Sequence, residues 1–205
     1  KMNLCDLAVE SIAGLQPYVP GKPIEELQRQ YGVRDVIKLA SNESPIGPSQ
    51  AAQAAIALAT RDLTRYPDGN GYSLKLALSE KFQVDATQIT LGNGSNDVLE
   101  LIARCFASPA DEVMFAQHAF AVYSLVAQAI GAKLVEVPAI EYGHDLPAMQ
   151  QAITANTKLI FIANPNNPTG TYIPAQEVHA FLQAVPDNVI VVLDEAYVEY
   201  GDQDT

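Results

Sequence analysis

The sequence predicts an α/β fold: a mainly parallel sheet with flanking helices forming a large domain, preceded by an N-terminal arm. Three observations carry this reading. The runs Leu159-Ile160-Phe161-Ile162-Ala163 and Val189-Ile190-Val191-Val192-Leu193 are apolar throughout, which marks strands buried on both faces. After about Arg65, strand-like runs alternate with segments at helical spacing. Helices of that length between strands imply parallel crossovers.

Each element follows in turn. The segment to about Gly21 holds Pro17, Pro20 and Gly21 and reads as an arm. A short helix is expected over Pro23 to Tyr31, with proline near its start. Val36 to Leu39 is a strand candidate leading into the polar loop Ala40-Ser41-Asn42-Glu43-Ser44-Pro45. An Ala-rich helix runs from about Ser49 to Thr60. Tyr72 to Phe82 is helical, with Leu74, Ala77, Leu78 and Phe82 on one face. Asn96 to Phe106 is helical, with Val98, Leu101, Ile102, Cys105 and Phe106 on one stripe. Strands are expected at Glu112–Ala116, Lys133–Val137, Lys158–Ala163 and Val189–Leu193. The intervening helices are Ala121–Ile130, Leu146–Ile153 and Pro174–Ala184.

The composition narrows the function. Of 205 residues, 48% are hydrophobic and 18% charged, enough apolar material for a sizeable core. The formal net charge is −12, which argues against nucleic acid and anionic membranes as partners. A bound phosphate must then be held by local geometry against the overall field. No apolar run approaches a membrane span. Lys1 to Glu10 lacks a signal-peptide layout, so a cytoplasmic location is expected. Cys5 and Cys105 have no metal-ligand spacing, and Cys105 on its apolar stripe reads as a buried thiol.

In open parallel sheets, ligands sit outside the carboxyl ends of the strands. Three strand ends here carry unusual residues: Gln117-His118-Ala119-Phe120, Asn164-Pro165-Asn166-Asn167-Pro168-Thr169-Gly170, and Asp194-Glu195-Ala196-Tyr197. A fourth element, Leu91-Gly92-Asn93-Gly94-Ser95-Asn96-Asp97, is a Gly-rich turn opening a helix. Glycines admit a close ligand, and a helix start offers free amides and a positive dipole end, so this turn suits a phosphate. The plainer alternative is an ordinary helix start capped by Ser95 or Asn96. Asp97 at the third glycine position breaks the dinucleotide fingerprint. Asp194 ends a buried strand, where a carboxylate is costly unless paired. Its partner is either a helix start or an arginine, or else a cationic ring nitrogen. The Asn-Pro-rich loop is a tight connection whose prolines fix its path, and it can aim the amide of Asn167.

Taken together these motifs resemble the fold-type I, pyridoxal-phosphate-dependent aminotransferases. The resemblance rests on Asn-Pro-Asn-Asn-Pro-Thr-Gly after one strand, Asp-Glu-Ala-Tyr after the next, and Gly-Asn-Gly-Ser-Asn-Asp upstream. Arg65-Tyr66-Pro67 and Leu39-Ala40-Ser41-Asn42-Glu43 narrow it to the histidinol-phosphate aminotransferase family. It covers Ile37 to Tyr200 in order. The resemblance implies that Gly94, Ser95 and Asn96 cradle the cofactor phosphate. Phe120 would stack on the pyridine ring, where many relatives carry Tyr; Phe keeps the stacking and loses the hydroxyl, and a plain core role is the alternative. Asn167 and Tyr197 would hydrogen-bond the phenolic oxygen, and Asp194 would pair with the pyridinium nitrogen. Tyr66 would reach the phosphate of a neighbouring subunit, which implies a homodimer with shared sites. Tyr18 and Asn42 would lie on the substrate side, or serve as loop residues. Residues 1–64 would form the arm and a small-domain segment, and residues 65–205 the large cofactor-binding domain, continuing beyond 205.

One departure matters. None of Lys1, Lys22, Lys38, Lys75, Lys81, Lys133 and Lys158 lies in a Ser-x-x-Lys-type context after the last strand. The Schiff-base lysine and the carboxylate-binding arginines are therefore expected downstream, and this chain is expected to be a fragment with no catalytic lysine of its own. The implied reaction is transamination of histidinol phosphate with 2-oxoglutarate, a small-molecule amino donor and a 2-oxo acid. Its rivals are another aminotransferase, a phosphothreonine-type decarboxylase or a carbon–sulfur lyase on the same fold. A non-catalytic module and a nicotinamide oxidoreductase are further rivals, the last disfavoured by Asp97 and the Asn-Pro loop.

Overall fold

The computed structural model describes residues 7–18 and 21–201. Cys5 and Lys1 lie outside the described residues. The helices are α1 (Glu10–Ala13), α2 (Ile24–Tyr31), α3 (Gln50–Ala59), α4 (Tyr72–Phe82), α5 (Ser95–Phe106), α6 (Val122–Ala129), α7 (Leu146–Gln151) and α8 (Ala175–Ala184). The strands are β1 (Glu112–Ala116), β2 (Lys133–Val137), β3 (Thr157–Ala163) and β4 (Ile190–Asp194). Packing divides the chain into two units: residues 1–17 with 92–205, and residues 18–91. The boundary expected from the sequence lay at 64/65. Residues 65–91 group with 18–64 in this division.

The larger unit is an α/β layer structure. All strand pairs are parallel, in the order β2-β1-β3-β4. The central strands explain why their sequences do not alternate: β1 is buried at every position, and β3 at all but Lys158. β2 lies at an edge and is exposed at Lys133, Leu134 and Glu136. One core cluster joins α5 and α6 to one sheet face through Leu99, Ala103, Tyr123, Val126 and Phe161. The other joins α7 and α8 to the opposite face through Met149, Phe181, Ile160 and Ile162. At the amino ends of the strands, Glu112 is 3% exposed. It pairs with Lys133 at 2.7 Å and accepts from Thr154 Oγ1 at 2.6 Å. Those bonds, Lys133's first, hold its carboxyl below the usual range.

The smaller unit is helical. α2 ends at Gly32, whose φ of 67° suits a residue without a Cβ. Ser49 caps α3 by accepting from Ala52 N at 3.2 Å. Three expectations fail. Val36–Leu39 forms no strand, and Ile37 and Leu39 are 85% and 94% exposed; among the described residues no neighbouring strand offers it a ladder. Leu74 and Phe82 are not buried on a face of α4. Cys105 is exposed rather than buried, because α5 turns Leu99 and Ala103 inward.

Candidate functional site

All four strand-end and turn segments contribute to one cleft at the carboxyl edge of the sheet. It is lined by Ser95, Phe120, Asn167, Asp194 and Tyr197, and holds about 370 Å3 of empty space, part of it open to solvent. These residues lie as far apart in the chain as Ser95 and Tyr197, and the parallel topology gathers them.

The start of α5 forms one wall. Gly94 is its cap residue, with φ 82° and ψ 173°, a conformation that favours glycine. The cap makes no side-chain hydrogen bond, so neither Ser95 nor Asn96 is the capping residue; both are exposed helical residues. Asp97 steadies the turn by accepting from Asn93 N at 3.0 Å. At Gly92 an added Cβ would come within 2.8 Å of Val98 Cγ2, which explains the glycine there.

The loop after β3 forms a second wall. Its Asn164-Pro165 and Asn167-Pro168 bonds are both cis. Buried Asn164 closes it by acting like a strand partner: its Oδ1 accepts from Ile173 N at 2.8 Å, and its Nδ2 donates to Ile173 O at 2.9 Å. Asn166 Nδ2 donates to His118 O at 3.1 Å and to Thr169 Oγ1 at 2.7 Å, tying this loop to the one after β1. Asn164 and Asn166 thus hold the loop that presents Asn167 to the cleft. The sequence reading singled out neither.

Asp194 is the last residue of β4, in register with Ala163 of β3. Its Oδ1 accepts from Ala196 N at 3.2 Å, and its Oδ2 from the Tyr123 hydroxyl at 2.8 Å. So its partner within the chain is a tyrosine, neither a helix start nor an arginine. Tyr123 is wholly buried. Its ring stacks on Phe161 at 4.9 Å and 5°, and meets Phe120 edge-on at 5.8 Å and 90°. Burial first, then the charge and hydrogen bond of Asp194, push the phenol far above its usual range, so the hydroxyl remains a protonated donor.

Gly94 and Asn96 flank Ser95 in sequence. Tyr18, Asn42 and Tyr66 belong to the other unit: Tyr18 is 56% exposed, Tyr66 fully exposed, and Asn42 has φ 50°. Beyond the cleft, His144 is buried, and its Nε2 meets no hydrogen-bond partner. Burial pushes this imidazole down to about 4, so it is neutral near pH 7. Among the described residues, no cluster of His, Cys, Asp and Glu could hold a metal ion, and no helix is long and apolar enough to cross a membrane.

The family profile described as "Aminotransferase class I and II" matches residues 34–205. Histidinol-phosphate aminotransferase 1 of Idiomarina loihiensis is 55% identical over 204 residues, covering 100% of this chain and 56% of that relative. Histidinol-phosphate aminotransferase 2 of Pseudomonas fluorescens is 55% identical over 202 residues, 98% of this chain and 55% of that relative. The chain spans about half the length of the curated relatives it matches. Among solved structures, histidinol-phosphate aminotransferase from Sinorhizobium meliloti, in complex with pyridoxal-5'-phosphate, is similar with a TM-score of 0.87. That likeness is 31% identical and covers 96% of this chain and 53% of the other. N-Succinyldiaminopimelate aminotransferase from Mycobacterium tuberculosis is similar with a TM-score of 0.71 at 26% identity, covering 85% of this chain and 48% of that one.

Proposed function

The chain belongs to the class I and II aminotransferases, and we propose that the whole protein is a pyridoxal-phosphate-dependent transaminase of histidine biosynthesis. Its amino donor is histidinol phosphate and its acceptor 2-oxoglutarate. It works in the cytoplasm as a homodimer with shared sites. The observation that carries this reading is the convergence of Ser95, Phe120, Asn167, Asp194 and Tyr197 on one cleft.

The donor set fits the cofactor. Gly94, Ser95 and Asn96 at the start of α5 offer amides and a hydroxyl to a phosphate. Phe120 offers a ring face, and Asn167 and Tyr197 offer donors to a phenolic oxygen. Asp194 offers a carboxylate that keeps a pyridine nitrogen protonated. Bound there, pyridoxal phosphate supplies the electron sink for removal of the donor's Cα proton. Tyr66, wholly exposed within its own unit, is free to serve a neighbouring subunit's phosphate; Tyr18 and Asn42 serve the substrate side. Among the described residues, no lysine lines the cleft. The lysine that carries the cofactor and moves the proton belongs to the part of the relatives' length that this chain does not span. The 205-residue chain alone is therefore expected to lack transaminase activity.

The test is an absorption spectrum of the full-length protein with pyridoxal phosphate, before and after adding L-histidinol phosphate. A visible band that shifts on addition supports cofactor, lysine and donor together. A band that responds only to other amino acids moves the substrate elsewhere in the family. No band at all would reject the cofactor reading.

A further inference from the structure

We infer that Tyr123 is a positioning residue that sets two of the protein contacts of the cofactor ring at once, holding Asp194 by its hydroxyl and Phe120 by its ring edge. The inference rests on the cofactor reading above and goes beyond it, because Tyr123 does not line the cleft.

Four observations carry it. The Tyr123 hydroxyl donates to Asp194 Oδ2 at 2.8 Å, so one oxygen of the carboxylate is held from behind. The other oxygen is fixed more weakly, by the Ala196 amide at 3.2 Å. The tyrosine cannot move to follow the carboxylate, since it is wholly buried and stacked on Phe161 of the central strand β3. It also meets Phe120 edge-on, a favoured aromatic geometry that sets the tilt of that ring. A phenol is suited to the first task. It can only donate to a carboxylate while protonated, and burial beside Asp194 keeps it so. For packing alone, phenylalanine would fill the same space with no buried hydroxyl to satisfy.

Tyr123→Phe separates the two roles, since it keeps the stacked ring and removes the donor. In the full-length protein loaded with 15N-labelled pyridoxal phosphate, wild type should show a ring-nitrogen resonance of the protonated form. In Y123F that resonance should move toward the neutral form. The rate of Cα-proton removal should fall by about tenfold, the scale of one hydrogen bond to a charged group. KM and cofactor affinity should stay within about threefold, because the loss concerns the ring's electronics rather than its grip. A resonance and rate equal to wild type in folded Y123F would overturn the inference. Should Y123F fail to fold, 3-fluorotyrosine at position 123 keeps the shape and strengthens the donor. The ring-nitrogen resonance should then move, and a resonance that stays put overturns the inference. If wild type binds no cofactor, the function proposed above fails first, and this inference with it.

Discussion

Residues 18–91 and residues 92–201 both carry many apolar side chains and use them differently. Among the described residues of the first region none is buried, whereas every core residue lies in the second. Ile37, Leu39 and Ile46 are 85%, 94% and 91% exposed, while Phe161, Ile160 and Ile162 are 0% exposed. The contrast separates two sources of order. In the first region, helices rest on local signals: a serine cap, left-handed glycines and alanine content. Helices of 8 to 11 residues held that way are marginal in water. In the second region, helices and strands are held by a shared core, and that core aims the strand ends at one cleft.

The contrast can be broken most sharply by matched truncations in this 205-residue chain. Phe161→Ala removes a fully buried ring stacked on Tyr123 and should cost about 3–5 kcal/mol in denaturant unfolding. Phe82→Ala, at a ring 58% exposed, should change stability by about 0.5 kcal/mol or less. Equal losses would show that the first region is as tightly packed as the second. A second effect belongs to the core region alone. His144 titrates near 6.5 when unfolded and at about 4 when buried, so the unfolded chain binds its proton first. Stability from this group is present above about pH 6.5 and is lost as pH falls toward 4, on the order of 3 kcal/mol in all. His144→Leu should flatten that slope between pH 6.5 and 4 in equilibrium unfolding; an unchanged slope would reject burial as its cause.

Smaller effects sharpen the comparison. Glu112→Gln loosens the bonds to Lys133 and Thr154 at the base of the sheet and should cost about 1–2 kcal/mol. Because the Glu112 carboxyl is held low, its contribution is present above its unfolded value of about 4.5 and is lost as pH falls below that. The Gln variant should therefore lose the acid-side part of the stability profile. Ser49→Ala, which removes the cap of α3, should weaken that helix by about 1 kcal/mol. The readout is faster amide exchange confined to residues 50–59, with the strands unmoved.

Legibility from the sequence followed the same divide. β1 and β2 fall at their expected bounds, and the other two strands within one residue. Continuous apolar runs between helices admit few other readings. The stretch 36–39, apolar except for Lys38, forms no strand, because pairing partners are a tertiary matter. The apolar stripe drawn on α5 placed Cys105 inside; the sheet instead receives Leu99 and Ala103, and only the packed partner decides which of two adjacent stripes turns inward. The cleft residues Phe120, Asn167, Asp194 and Tyr197 were visible because strand ends are where parallel sheets place ligands, and Ser95 because a Gly-rich turn opens its helix. Tyr123 was not, since its hydroxyl meets a carboxylate 71 positions away. Its one local sign is a phenol three residues after Phe120, on a helix that also carries Ser124 and Gln128.

The central claim is that the strand-end carboxylate of the packed region drives the chemistry. It is tested most directly by Asp194→Ala in the full-length protein, comparing pyridoxal-phosphate affinity with the rate at which the donor's Cα proton exchanges with solvent. The account predicts an exchange rate lower by on the order of a hundredfold or more, the scale of losing one preorganised charge contact, with affinity changed far less. Near-normal exchange in a folded variant that binds the cofactor would contradict it.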